Sequence, residues 1–110
     1  MIKPIASLSV EVVPQAILNC PVSEVVGRYS DVVKDNDEFD AFEGASFKLN
    51  GNLEIAVRHY QGYPKNTATI YIDQKVKDVE QISALIRVIL DEFGLTEAVL
   101  SWERAKDPQL

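Results

Sequence analysis

The chain contains one cysteine, one histidine and one tryptophan among its 110 residues. A lone Cys20 cannot close an internal disulfide, so burial alone has to hold the fold. Such a chain suits a reducing compartment, and the cytoplasm is the expected location. One histidine and one distant cysteine fall short of the roughly three or four ligands that a zinc site takes. Cationic residues are also scarce: 11 Lys and Arg stand against 17 Asp and Glu, a net charge of −6. Binding nucleic-acid phosphates needs clustered Lys and Arg, so direct DNA or RNA binding is disfavoured. Long apolar runs are missing too. Arg87 interrupts the richest one, and nothing approaches the roughly eighteen residues of a membrane span. The opening Met1-Ile2-Lys3-Pro4 has neither the basic region nor the apolar run of a secretory signal. No motif calls for a cofactor.

What is present is an ordinary apolar share, 46%, against 25% charged residues. That is enough for one domain with a real core. A single α+β domain is expected over residues 1–104, followed by a polar tail, 105–110, containing Pro108. The clearest patterning lies between Leu53 and Gly94. Leu53, Ile55, Val57 and His59 alternate with Glu54, Ala56, Arg58 and Tyr60, which is the period of a half-buried strand. The alternation resumes at Ala68, Ile70 and Ile72 after a turn-rich stretch from Gln61 to Asn66, so a hairpin is predicted. Val79, Ile82, Leu85, Ile86, Ile89, Leu90 and Phe93 then recur at helical spacing. Asp78 with Gln81 forms a candidate capping box, and Gly94 is placed to end the helix.

Elsewhere the signals are weaker. Residues 5–13 read as a first strand, with Leu8, Val10 and Val12 on one face and Pro14 ending it. Pro21 opens a helix carrying Val22, Val25, Val26, Tyr29, Val32 and Val33 on one side, although valine and Gly27 are poor helix formers. Asp35 to Asp40 reads as an acidic loop. Ala45, Phe47 and Leu49 resume strand alternation, with Gly44 marking a bulge and Asn50-Gly51-Asn52 a tight reversal. Ala98 to Glu103 is a last strand. The resulting order is strand, helix, three strands, helix, strand. It suits a five-stranded mixed, mostly antiparallel sheet with two helices on one face, a ferredoxin-like plan with an extra strand. Ala6 to Gln15 is similar to the opening of small thiamine-binding ferredoxin-like proteins. The likeness ends there and assigns no family.

Four places invite chemistry. Cys20-Pro21-Val22-Ser23 at a helix start resembles the monothiol form of the thioredoxin-fold redox motif, and a helix dipole would lower the thiol pKa. The bland alternative is a small half-buried residue before proline. His59 shares the parity of Leu53 and Ile55, which fits a core or rim histidine better than a catalytic base. Asp35-Asn36-Asp37-Glu38-Phe39-Asp40 lacks the oxygen ligand, glycine and glutamate that a calcium-binding loop wants at Phe39, Asp40 and Ser46. No metal is expected there, but Asp35, Asp37, Glu38 and Asp40 form an acidic surface for a basic partner.

The last place is the sheet face opposite the helices. It carries Arg58, Tyr60, Tyr71, Thr69 and Lys48 together with Ser7, Ser9, Ser46 and Glu54. Tyrosine and arginine are frequent in interfaces, so this face is the candidate ligand platform or dimer surface. The leading expectation is a small non-enzymatic binding protein, a homodimer or one with a protein partner. One alternative is an acidic inhibitor of a basic protein, of the immunity type. The other is a small-molecule-binding protein or small enzyme with a pocket near Arg58, Tyr60 and Tyr71, with His59 or Trp102 contributing.

Overall fold

Alternating apolar residues build the sheet wherever the period of two is sustained. A computed structural model of the chain describes residues 1–36 and 40–108. Among these, seven strands form one sheet: β1 (Ile2–Ile5), β2 (Val12–Leu18), β3 (Val33–Asn36), β4 (Ala41–Leu49), β5 (Leu53–Tyr60), β6 (Ala68–Asp73) and β7 (Leu100–Glu103). The strands lie in the order β1-β4-β5-β6-β2-β7, and β3 shares the outer edge of β4 with β1. Every described pairing is antiparallel. Two helices, α1 (Val22–Val26) and α2 (Val79–Glu92), join the sheet in one apolar core.

The α+β class and the two helices match the expectation, but the five-stranded, mixed, ferredoxin-like plan is not matched as drawn. β1 and β3 are the additions. The single strand expected over residues 5–13 is instead two strands on opposite sides of the sheet. Pro14 does not end β2 but lies inside it, opposite Tyr71, where the register slips between Pro14 and Ala16. A proline gives no ladder hydrogen bond, and a bulge is where a sheet tolerates one. β3 includes Asp35 and Asn36, where the sequence pattern predicts a loop.

Between β1 and β2 the chain has to cross from one side of the sheet to the other. Residues 6–11 do so over the face opposite the helices. The Ser9 amide donates to Glu54 Oε1 at 2.6 Å, and the Ser9 hydroxyl donates to Glu54 Oε2. Beneath this strap Glu54, Ala56, Tyr71 and Asp73 are buried. The face expected to be open is therefore largely closed along its middle. The two Ser9 hydrogen bonds, hydroxyl first, hold the Glu54 carboxyl below its usual range against the opposing effect of desolvation.

The helix-side core follows the predicted parity. Ala16, Leu18, Phe47, Leu49, Ile55, Val57, Ala68, Ile70 and Ile72 meet Val22, Val25, Val26, Ile82, Ile86, Ile89, Leu90 and Phe93. Phe93 packs edge-on against both Phe47, 5.3 Å between ring centres, and Tyr29, 5.7 Å. α1 is shorter than its apolar pattern: it stops at Val26, and Tyr29 and Ser30 donate back to the Val26 carbonyl. β-branched valines have little propensity to carry it further. In α2 Ile82, Ile86, Ile89 and Leu90 are buried, with Phe93 just past its end, and Leu85 is half-buried, whereas Val79 is 54% exposed. The expected capping box is absent, since Asp78 makes no side-chain cap. Gly94 does end the helix, at φ +73°, with Leu95 donating to the Leu90 carbonyl. Arg87 ties α2 to β7 through the buried Glu103, Nη2 to Oε1 at 2.6 Å, and Lys106 adds a second cation at 3.5 Å. No helix among the described residues is long and apolar enough to cross a membrane.

Candidate functional site

The outer edge of β4 is divided. β3 pairs with residues 41–44 and β1 with residues 46–49, so Ala45 sits in a notch between them. One row from the notch, on β5, stands Arg58, paired with Gly44 in a ladder without register shifts from Phe42–Tyr60 to Leu49–Leu53. Gly44 is thus not a bulge. It is a point of close approach: an added Cβ would lie 2.4 Å from the Val57 carbonyl oxygen and 2.9 Å from Arg58 Cγ. The missing side chain leaves the room into which the Arg58 stem extends.

The Arg58 guanidinium is gripped. Its central carbon lies 4.5 Å from the centre of the Phe42 ring and 5.4 Å from that of Tyr71. Nη1 donates to the Tyr60 hydroxyl at 3.0 Å. Phe42 and Tyr60 are themselves 5.1 Å apart, and Tyr71 completes the cluster 6.2 Å from Tyr60. Each ring face contributes attraction of about 0.5–1 kcal/mol to a partly exposed cation. Among the described residues the ion pairs are made by Met1, Lys75, Arg87 and Lys106, and none by Arg58.

Beside this cation opens a cleft of about 580 Å³. Ile5, Leu8, Val33 and Phe42 give it apolar walls, and Ser7, Ser30 and Ser46 bring hydroxyls. Its charged lining residues are Arg58 and Asp35, one of each sign. β3 and β5 flank β4, so their backbones are about 10 Å apart, a span that a small molecule can bridge.

The five residues expected on this face share it, in different roles. Arg58 lines the cleft, while Tyr60 and Tyr71 hold Arg58. Thr69 pairs with Arg58 across β5 and β6 but is buried, as is Tyr71. Neither is the solvent-facing group the alternation implied. Lys48 faces Glu54 four ladder rows away, about 13 Å along the strands. It does not join the cluster.

Of the acidic residues, Asp35 lies in β3 and Asp40 just before β4, both exposed. Asp37 and Glu38 lie outside the described residues, as does Phe39. At Cys20 the surroundings oppose the lowered pKa that the redox alternative requires and fit the half-buried alternative. The thiol is buried, and burial, with a smaller contribution from Glu24, pushes its pKa up rather than down. α1 is also too short to carry a strong dipole. His59 sits at the strand end, half-buried, with Nε2 donating to the Pro64 carbonyl at 3.1 Å. Trp102 donates from Nε1 to Asp107 at 2.7 Å and lies outside the cluster. No group of three or more His, Cys, Asp or Glu side chains among the described residues is placed to hold a metal ion.

Phe42 and the true role of Gly44 escaped the sequence reading. The available signal was their spacing: Phe42, Gly44 and Ser46 share a parity, with the glycine flanked by larger residues on the face that bears Arg58. Set against protein-family models, curated proteins and solved structures, the chain matches none of them.

Proposed function

We propose that this is a non-enzymatic binding protein whose ligand is a small zwitterion with an apolar body, seated in the notch between β1 and β3. One observation carries the reading. Arg58 is a cation immobilised by two rings and a hydroxyl, without a carboxylate partner among the described residues, on the wall of a cleft of about 580 Å³. Clefts of roughly 300–1,000 Å³ suit small ligands. An oxyanion would meet Arg58, an ammonium group would meet Asp35, and the body would lie on Ile5, Leu8 and Val33. A guanidinium does not lose its proton in proteins, so Arg58 suits recognition rather than proton transfer. Holding Arg58 in place beforehand reduces the ordering cost of binding.

The exposure of Asp35 and Asp40 supports a second reading, an acidic surface for a basic protein partner. Its mark is an affinity that falls steeply with salt. A homodimer through the sheet face has less support, because Thr69 and Tyr71 are covered.

The test is a titration followed by amide NMR spectra, using ε-aminohexanoate, hexanoate and hexylamine. The zwitterion should shift Gly44, Ala45 and Ser46 saturably and more tightly than either singly charged relative, and Arg58→Ala should remove the effect. Shifts that persist undiminished in Arg58→Ala, or no saturable response at these amides, would sink the reading.

A further inference from the structure

A second cleft, of about 500 Å³, lies at the N-terminal end of α2 and shares no lining residue with the Arg58 cleft. We infer that it is a separate binding site for an amphiphilic oxyanion, a carboxylate or phosphate carried on an apolar body.

The argument starts from Gln15. It occupies the bulge that Pro14 imposes on β2, between the paired residues Pro14 and Ala16. Its neighbour Val13 is opposite Ile72, on the helix side, and both Val13 and Gln15 line the cleft. Gln15 is 4% exposed as a residue, and its side-chain amide, which is not fully enclosed, makes no hydrogen bond to another side chain or backbone group among the described residues. Amides in folded proteins are nearly always paired, with protein groups or with water. One that lines a cleft without a partner offers both a donor and an acceptor to a guest.

The electrostatics of the same cleft favour negative charge. The first turn of α2 borders it through Val79, and Asp78 supplies no side-chain cap to that turn. The first-turn N–H groups therefore keep the positive end of a 14-residue helix available. Lys77 and Arg104 line the cleft, and neither forms an ion pair among the described residues. The acidic lining residue, Asp107, is engaged by the Trp102 indole at 2.7 Å. Among the lining residues two cations stand against one occupied carboxylate, on a chain of net charge −6, while Asp78 and Glu80 at the same helix end do not line the cleft.

The apolar part of the guest is specified by Val13 and by Val79, which is 54% exposed where the rest of the α2 stripe is covered. An apolar body lying there would bury Val79 while its oxyanion reaches Lys77, Arg104 and the helix end. Gln15 would hydrogen-bond the polar junction between them.

The experiment titrates the protein with hexanoate and, separately, hexyl phosphate, with hexanol as the uncharged control, following backbone and Gln side-chain amides by NMR. Saturable shifts are expected at the Gln15 side-chain amide, Val79 and Glu80, with none from hexanol. The tighter of the two anions identifies the head group. Lys77 and Arg104 are both exposed, so the double variant Lys77→Ala/Arg104→Ala should fold normally and bind at least about tenfold more weakly. Arg58→Ala should leave these shifts unchanged. The inference is overturned if neither anion gives saturable shifts, if the double variant binds as tightly as the parent, or if the shifts appear at Gly44 and Ser46 instead. The last result would place the anion in the Arg58 cleft.

Discussion

Replacing Gly44 by alanine sets two physical expectations against each other. Glycine in a strand interior is ordinarily a weak point, and Gly→Ala at a compatible position stabilises by about 0.5–1 kcal/mol through the unfolded chain. Gly44 does not take a positive φ, so backbone conformation alone raises no objection. The local packing does. The new Cβ would lie 2.4 Å from the Val57 carbonyl oxygen, a backbone atom in the neighbouring strand, and 2.9 Å from Arg58 Cγ. Val57 and the β4–β5 ladder are fixed by a fully buried core, so β4 has to shift locally. Overpacking of this kind costs about 1–3 kcal/mol. For a chain of this size that corresponds to roughly 4–12 °C in Tm, at about 4 °C per kcal/mol. Urea unfolding followed by Trp102 fluorescence measures it directly. Arg58→Ala in the same background should restore only part of the loss, because the carbonyl contact and a 3.1 Å approach to Arg58 Cα remain. A Gly44→Ala protein as stable as the parent, or more so, would refute the close-approach account. Full rescue by Arg58→Ala would show that the side chain, not the strand backbone, is the obstacle.

Acid stability follows from Glu54 and Glu103. Both carboxyls are held below the ordinary range, Glu54 chiefly by the Ser9 hydroxyl and Glu103 chiefly by Arg87. The folded state therefore binds fewer protons than the unfolded chain in that range. Their stabilisation is complete above the unfolded value near 4.5 and disappears as pH falls through the lower folded values. Urea midpoints recorded from about pH 6 to about pH 3 should fall, and Glu103→Gln should flatten part of that slope. Parallel profiles for parent and variant would contradict the assignment. Cys20, buried and with its thiol pKa raised, should react with iodoacetamide at neutral pH at least about tenfold more slowly than free cysteine, and at the free rate in urea. A native rate matching free cysteine would show that the thiol is accessible and its burial wrong.

The parts of the fold readable from sequence were those in which one period dominates. In β4, β5, β6 and α2 the positions facing the helix-side core recur at the spacing of their element, so parity and stripe assigned that side of the core correctly. β1, β3 and the bulged β2 were missed for identifiable reasons. Ile2–Ile5 and Val33–Asn36 are too short to show a period, and β3 is exposed at every residue. Pro14 is a strand breaker by local rules, and only the β6 and β7 neighbours explain its place. For the site, Arg58, Tyr60 and Tyr71 were grouped correctly because they share a face. Their division of labour depends on Phe42, Gly44 and the strap at residues 6–11, which come from distant parts of the chain. Burial of Thr69 and Tyr71 is likewise a property of chain crossing that alternation does not encode.

The position of β2 has a consequence for how the chain reaches this state. β3, β4, β5 and β6 are sequential neighbours joined by short connections, so their pairings close small loops and can form early. β2 is synthesised before them, yet it is wedged between β6 and β7, and Val12 to Leu18 must find Ala68 to Asp73 across about half the chain. Until that docking occurs, β6 presents a bare hydrogen-bonding edge on a strand whose six residues are all buried in the finished protein. An exposed edge of that composition is a template for pairing with another chain. Refolding yield should therefore fall with protein concentration, and any change that slows the arrival of β2, at the Pro14 bulge above all, should favour aggregation over folding without altering the structure eventually reached.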